Sequence, residues 1–466
     1  MAPFSALPAE LIGLIAEFVN PADVISFAII SKHIFTSSER ALQTHRKFQK
    51  RYHELDHRRT YRPKWPSLTS ILREMILIPR ASLYVKIARL SLGAGRWEDR
   101  ITGRPTISES ESCLFRQPLI SLGVQMEIAE TLDSEFQGED EMIVEAADSI
   151  CQGDDRFTSI LLLSSLANLT LLDLAVDDNW GFSVDFLVPL LRRKAVNVDP
   201  SILANLYTVT LAHVHDDWMQ HILLEVFLSF PSVRTIHAAK VTGPDDYEIP
   251  PEWSLPLVKK ESNLSTLTID NQEEIIDNRI NPIGWLHDIL QSTPHLKTFK
   301  WWCQGPDGGP RYSTGDIIKI LGRHVSQSLE ELFISVYNEI QDMQNLPSLL
   351  ALQKLEIGYG DFLPDDDSPA LDLFRRLPPK LRHLRLWDTE NSQLVRDLYH
   401  FPDMIRNDLQ GSTMETIDLD FDEADQRIED LRIMRHWRAA WEASDAYGIT
   451  ISFNLLHGAS MPKFEV

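Results

Sequence analysis

Residues 329–334, Leu329-Glu330-Glu331-Leu332-Phe333-Ile334, carry the pattern from which the architecture can be read. Apolar residues stand at the first, fourth and sixth places. In a strand alternate side chains share a face, so Leu332 and Ile334 point one way and Phe333 the other. Toward the N-terminus the same frame recurs as Leu169-x-x-Leu172-x-Leu174, Leu206-x-x-Val209-x-Leu211, Val233-x-x-Ile236-x-Ala238, Leu264-x-x-Leu267-x-Ile269 and Leu296-x-x-Phe299-x-Trp301. Toward the C-terminus come Leu352-x-x-Leu355-x-Ile357, Leu381-x-x-Leu384-x-Leu386 and Met414-x-x-Ile417-x-Leu419. From Leu169 to Met414 the steps are 37, 27, 31, 32, 33, 23, 29 and 33 residues, a repeat period of about 31. Two outlying frames are Ile87-x-x-Leu90-x-Leu92 and the weaker Leu119-x-x-Leu122-x-Val124.

Helical segments are predicted between the frames, at 218–230, 285–291, 316–325, 371–377 and 424–446. Proline or Ser-Asn punctuation precedes several strands, as in FPSVRTI, ESNLSTL, TPHLKTF and LPPKLRHL, where a helix must stop before a strand starts. One strand with its helix cannot bury its apolar face alone, whereas stacked units bury a continuous core. The predicted class is therefore α/β, with an irregular solenoid over 84–456 and an insertion around 93–156. Within the insertion, 142–150 reads as helix.

This array resembles the leucine-rich repeat in its irregular, helix-backed form. It departs from that family at the ninth place, usually Asn or Cys, which here holds residues such as Asp177, Val214, Gln272, Tyr337 and Thr389. A regular asparagine ladder is absent. The resemblance implies a protein-binding face on the strand side. Side chains directed there include Lys300, Trp302, Phe333, Arg385 and Trp387, an aromatic and cationic group of the kinds that anchor interfaces. These five are the candidate target-binding residues.

At the other end, residues 4–52 read as three helices. Pro8 opens the first with a fixed helical φ, Glu10 suits the positive helix end, and Leu11, Ile12, Ile15, Phe18 and Val19 form an apolar stripe. Asn20, Pro21 and Asp23 repeat the start signal, with Val24, Phe27, Ala28 and Ser31 on one face. Thr36-Ser37-Ser38-Glu39 has capping-box spacing and precedes a stripe of Leu42, His45, Phe48 and Tyr52. Residues 53–83 read as a helical linker, with Leu68, Ile71, Leu72 and Met75 on one short helix.

The run LPAELIGLIAEFVNPADVISFAIISKHIF resembles the F-box, the module that attaches substrate receptors to the Skp adaptor of cullin-RING ubiquitin ligases. Leu7, Pro8, Glu10, Leu11, Ile12 and Ile15 fit its first half, and Asp23, Val24, Ile25, Ser31 and Lys32 its second, with Phe27 and Ile30 also in register. Ile34 stands where many members carry Trp, with Phe35 next. The resemblance covers about a tenth of the chain. It implies that these residues bind a Skp-type adaptor and, through it, a cullin-RING ligase, with an unknown protein substrate held on the repeats. The alternative it leaves is a Skp-bound scaffold without ubiquitin transfer.

The totals narrow the classes further. Residues 1–80 hold 12 Lys and Arg against 7 Asp and Glu, and the remaining 386 hold 33 against 61, a net of −28. Such a body repels nucleic acid and membrane phosphate and accommodates a basic partner more easily. The basic run at 46–64 reads as a solvated continuation of the third helix. No apolar run approaches a membrane span and no secretory signal is expected. Cys113, Cys151 and Cys303 are few, odd in number and far apart, which fits a reducing compartment, cytoplasmic or nuclear.

Chemistry-bearing motifs are sparse. His213-Val214-His215-Asp216-Asp217 offers four metal-binding side chains, but no third ligand group has a recognised spacing, and capping of the next helix accounts for the acids. The glycines of 305–309 lack a following Gly-Lys-Ser or Gly-Lys-Thr, and Asp365-Asp366-Asp367 lacks the alternating ligands of a calcium loop. The expectation is a non-catalytic protein without metal or cofactor.

Overall fold

A computed structural model of the chain describes residues 7–57, 68–92, 112–122, 139–151, 155–176, 203–213, 219–239, 241–242, 262–271, 283–303, 313–336, 343–362, 373–388, 394, 397–409, 412–422 and 431–456. The expected insertion motifs at 93–111, the cluster at 215–217, the glycines of 305–309 and the acids of 365–367 lie outside these residues. The fold is mixed α/β and divides into two compact units, 1–233 and 234–466.

The first unit opens with four helices where three were expected: α1 (Ala9–Phe18), α2 (Val24–Ala28), α3 (Lys32–Ser37) and α4 (Glu39–Tyr52). The extra helix arises because Ser31 caps α3, its side chain accepting from the Ile34 amide at 3.2 Å. The expected capping box at 36–39 does not form. Thr36 and Ser37 instead donate to the Lys32 and His33 carbonyls one turn back, which spends their hydroxyls inside α3. The helices close on Ile12, Ala16, Val24, Ala28, Ile34 and Leu42, all buried. A side chain on Gly13 would meet the Ser37 carbonyl at 3.2 Å, tighter than an ordinary contact, so glycine eases the close approach of α1 and α3.

The segment after α4 is not wholly helical, as expected, but begins with a short strand, β1 (Glu54–Asp56), followed by α5 (Leu68–Leu77) and α6 (Pro79–Ser82). Strand β1 pairs in parallel with β2 (Ile87–Leu92), and the parallel order continues through β3 (Leu171–Val176) and β4 (Thr208–His213). Register corrects the first frame by two residues. Ala88 and Leu90 stand opposite Leu172 and Leu174, so the buried set is Val85, Ala88 and Leu90, while Ile87 faces the other way. A two-residue slip preserves side-chain direction along a strand, which is why Leu90 fits either frame. The weak frame at 119–124 is also corrected, since its residues 119–122 lie in the helix α7 (Cys113–Leu122) and 123–124 lie outside the described residues; α8 (Glu139–Cys151) and α9 (Asp155–Ser165) follow.

Polar contacts tie α1 and α4 to the segment from α5 to β2. Tyr52 donates to Glu74 at 2.5 Å and Arg51 pairs with the same carboxylate at 2.6 Å. Burial, then the hydrogen bond to Glu74 and its charge, push the Tyr52 phenol up to about 12. His45 Nδ1 lies 3.1 Å from the Tyr84 hydroxyl, and Arg80 donates to the Ala16 and Val19 carbonyls, each at 3.3 Å. Those carbonyls end α1 and have no helical partner of their own.

After α10 (His221–Leu228), the described residues of the second unit form a run of eight parallel strands in chain order: β5 (Thr235–Ala239), β6 (Thr266–Asn271), β7 (Thr298–Cys303), β8 (Glu331–Val336), β9 (Lys354–Gly358), β10 (His383–Asp388), β11 (Thr416–Asp422) and β12 (Thr450–Leu456). The frames align without slippage: Leu267, Phe299, Leu332, Leu355, Leu384 and Ile417 form one buried row, and Ile269, Trp301, Ile334, Ile357, Leu386 and Leu419 the next. Each such side chain contributes roughly 1.5–3 kcal/mol by leaving water. Backbone bonds step from one strand entry to the next, from Ser265 N to Arg234 O and onward through Lys297, Glu330, Gln353, Arg382 and Glu415 to Thr450, at 2.7–2.9 Å. Strand β12 lacked a frame in the sequence because Gly448 occupies its first place.

Spacing decides what backs each strand. Steps of 32 and 33 residues hold α11 (Ile283–Ser292) and α12 (Thr314–His324), the latter opened by a capping box between Ser313 and Asp316. The 23-residue step has no room for that and carries a 3-10 turn at Met343–Ser348. The helix expected at 371–377 is likewise a short 3-10 turn, Leu373–Arg376. Two further helices, α13 (Phe401–Asp408) and α14 (Leu431–Asp445), back the last strands.

Candidate functional site

Two surfaces stand out, one in each unit. The first is the outer side of α1–α3. Apolar residues occupy most positions of α1, so two stripes compete for the interior. Ile12 and Ala16 win; Leu11, Leu14 and Phe18 are left outside, 47, 50 and 82% exposed. On α2 and just beyond, Ile25, Ile29 and Ile30 are 56, 70 and 66% exposed, and Phe35 on α3 is 49% exposed. The interior of these helices is already complete without them. Large apolar side chains exposed together are the mark of a surface that another molecule covers.

Of the sequence-predicted adaptor residues, Pro8, Glu10, Leu11, Asp23, Ile25 and Lys32 are exposed, and Leu7, Ile15 and Ser31 half-buried. Ile12 and Val24 are interior and hold helices together, while Ser31 caps α3. Ile34, in place of the expected Trp, points inward, and Phe35 beside it points out. The sequence pattern gives no role to Leu14 or Ile29 and sets Phe18 in the apolar stripe of α1, whereas Ile30 is among the residues that fit the F-box resemblance. The i, i+3, i+7 spacing of Leu11, Leu14 and Phe18 was the available signal.

The second surface is the strand face opposite α11–α14. Register sets Lys300, Phe333, Glu356, Arg385, Asp418 and Ser452 in one row and Trp302, Ser335, Gly358, Trp387, Asp420 and Asn454 in the adjacent row. The three predicted aromatics do come together. Phe333 lies 5.7 Å from Trp302 and is stacked on Trp387 at 5.0 Å. Strand β9 runs between Phe333 and Trp387, and Gly358, which has no side chain, stands opposite Trp387. The stack is buried, with Trp302, Phe333 and Trp387 at 3, 5 and 7% exposed. Lys300 is half-buried.

Arg385 departs from the expected role of a solvent-facing anchor. Its Nε donates to Asp420 Oδ2 at 2.6 Å and its Nη1 to Glu356 Oε2 at 3.3 Å, while Lys354 lies 2.6 Å from the same glutamate. Burial would lower the guanidinium's pKa, but the hydrogen bonds and charges of Asp420 and Glu356 outweigh it and raise it. Asp420 also accepts from Asn454 Nδ2 at 2.9 Å, and Asp418 accepts from the Ser452 hydroxyl. A cavity of about 340 Å³ opens among these groups, lined in part by Lys354, Glu356, His383, Arg385, Asp418 and Ser452. The polar half of the site was thus only partly anticipated, since the rows were legible but the ion pairs across strands were not.

Among the described residues no group of three or more metal-ligating side chains occurs, and no helix is long and apolar enough to cross a membrane. No family model matches the chain, and no curated protein does. Among solved structures it is similar to an internalin from Listeria monocytogenes, at 16% identity and a TM-score of 0.29, over 64% of this chain and 65% of that one. The chain therefore spans a little under two thirds of the internalin's length.

Proposed function

We propose that the chain is the substrate-recognition subunit of a cullin-RING ubiquitin ligase of the SCF type, acting in the cytoplasm or nucleus. The α1–α3 face docks on a Skp-type adaptor, and the strand face of the second unit holds a target protein. The observation that carries this reading is the set of seven large apolar side chains, 47–82% exposed, on helices whose interior is complete. It coincides with the stretch that resembles the F-box. Such a receptor makes no bonds itself; it raises the local concentration of target beside the charged conjugating enzyme.

The test is affinity purification of the full chain from cells with and without proteasome inhibition. Recovery of a Skp-type adaptor together with a cullin, and of partners that accumulate under inhibition, is the expected result. Adaptor recovered without cullin or proteasome-sensitive partners would make the chain a Skp-bound scaffold, and absence of the adaptor would overturn the proposal.

A further inference from the structure

We infer that the cavity between β9 and β12 receives a cationic side chain, arginine or lysine, from the target protein. The inference rests on the reading of the strand face as the target-binding surface. The cavity's volume of about 340 Å³ is at the small end of ligand sites, suited to one side chain with its flanking main chain. Buried Asp420 lies just outside the lining and pairs with Arg385, so the lining groups together with this neighbour hold two cations against three carboxylates. Lys354 and Arg385 face Glu356 and Asp420, two cations against two carboxylates. Asp418 is left over, and among the described residues its partner is the Ser452 hydroxyl, which carries no charge.

A half-buried carboxylate with open lone pairs, walled by groups already committed to one another, favours an incoming cation by charge-assisted hydrogen bonding. Arg385 adds a second recognition element, because its Nε and Nη1 are occupied and its Nη2 has no partner among the described residues. That donor suits a main-chain carbonyl beside the inserted side chain. The wider field agrees: residues 234–466 hold 23 Lys and Arg against 38 Asp and Glu, a net of −15. The occupant is a basic segment of a protein; nucleic acid and phosphate are repelled by the same field.

The inference is tested with blocked nonapeptide pools of degenerate flanks whose central residue is fixed as Arg, Lys, Gln or Glu. Their binding to the full chain is read by fluorescence anisotropy at low and moderate salt. The Arg and Lys pools should bind about tenfold more tightly than the Gln pool, with the preference shrinking as salt rises. Asp418→Asn, which keeps an acceptor for Ser452, should abolish the preference, and Asp418→Lys should turn it toward the Glu pool. A wild-type chain that binds adaptor but treats all four pools alike, or a preference that survives Asp418→Asn, overturns the inference and leaves the adaptor reading standing. A cation preference in a chain that binds no adaptor would uphold the groove and remove the adaptor reading.

Discussion

The guanidinium of Arg80 donates to the carbonyl of Ala16 across 64 residues of sequence, tying the last turn of α1 to the helix that leads into the strands. A second bond from the same nitrogen reaches Val19. The exposed apolar face of α1 therefore has its orientation set from outside the helical module. Arg80→Met, which keeps the apolar stem, should lower stability by about 1 kcal/mol and speed amide exchange at residues 14–20. Unchanged exchange there would mean that α1 is held by its apolar interior alone.

Acid should loosen the same junction. His45 is 5% exposed, and burial, then the charges of Arg80 and Arg46, hold its pKa below the ordinary 6.5. The folded state prefers the neutral ring. The stability contributed by neutral His45 is thus present above pH 6.5 and lost as pH falls through the lower folded value. Urea midpoints measured between about pH 7.5 and 5 should fall for the wild type and fall less for His45→Gln. An equal pH dependence in both would remove His45 as the cause.

The aromatic stack should behave as a core and not as a solvent-facing anchor. Phe333→Ala removes the ring that touches both indoles and should cost about 3 kcal/mol, with a lower unfolding temperature. Gly358→Leu puts a large side chain opposite Trp387, beside the stack, and should cost about 1–3 kcal/mol. Thermal unfolding followed by circular dichroism checks both. Stability unchanged in Phe333→Ala would return the aromatics to the open face that the strand pattern first suggested.

How far the sequence reaches can be judged from particular residues. The frames at Leu169 and Leu206, and those from Val233 to Met414, predict strands whose register holds pair by pair within each unit, because alternation along a strand and a fixed repeat step are both written in the chain. Strand β1 escaped notice since three residues, Glu54–Asp56, are too few to show a period. On α1 most positions are apolar, so more than one stripe fits the pattern, and the stripe that includes Phe18 turns inward a side chain that is exposed. The adjacency of Trp302, Phe333 and Trp387 followed from register. Their burial did not, because a strand frame gives a side chain's direction and says nothing of the depth around it.

Docking of the α1–α3 face on a Skp-type adaptor is the step on which the proposed role depends. Isothermal titration of the purified full chain with that adaptor measures it, comparing wild type with Phe18→Asp and Ile29→Asp. Both side chains are mostly exposed, so the variants should fold, as their unfolding midpoints will show. Wild type should bind, and each substitution should weaken binding at least about tenfold by burying a charge in an apolar contact. Adaptor binding of equal strength in all three proteins, or none by the wild type, would contradict the docking assigned to this face.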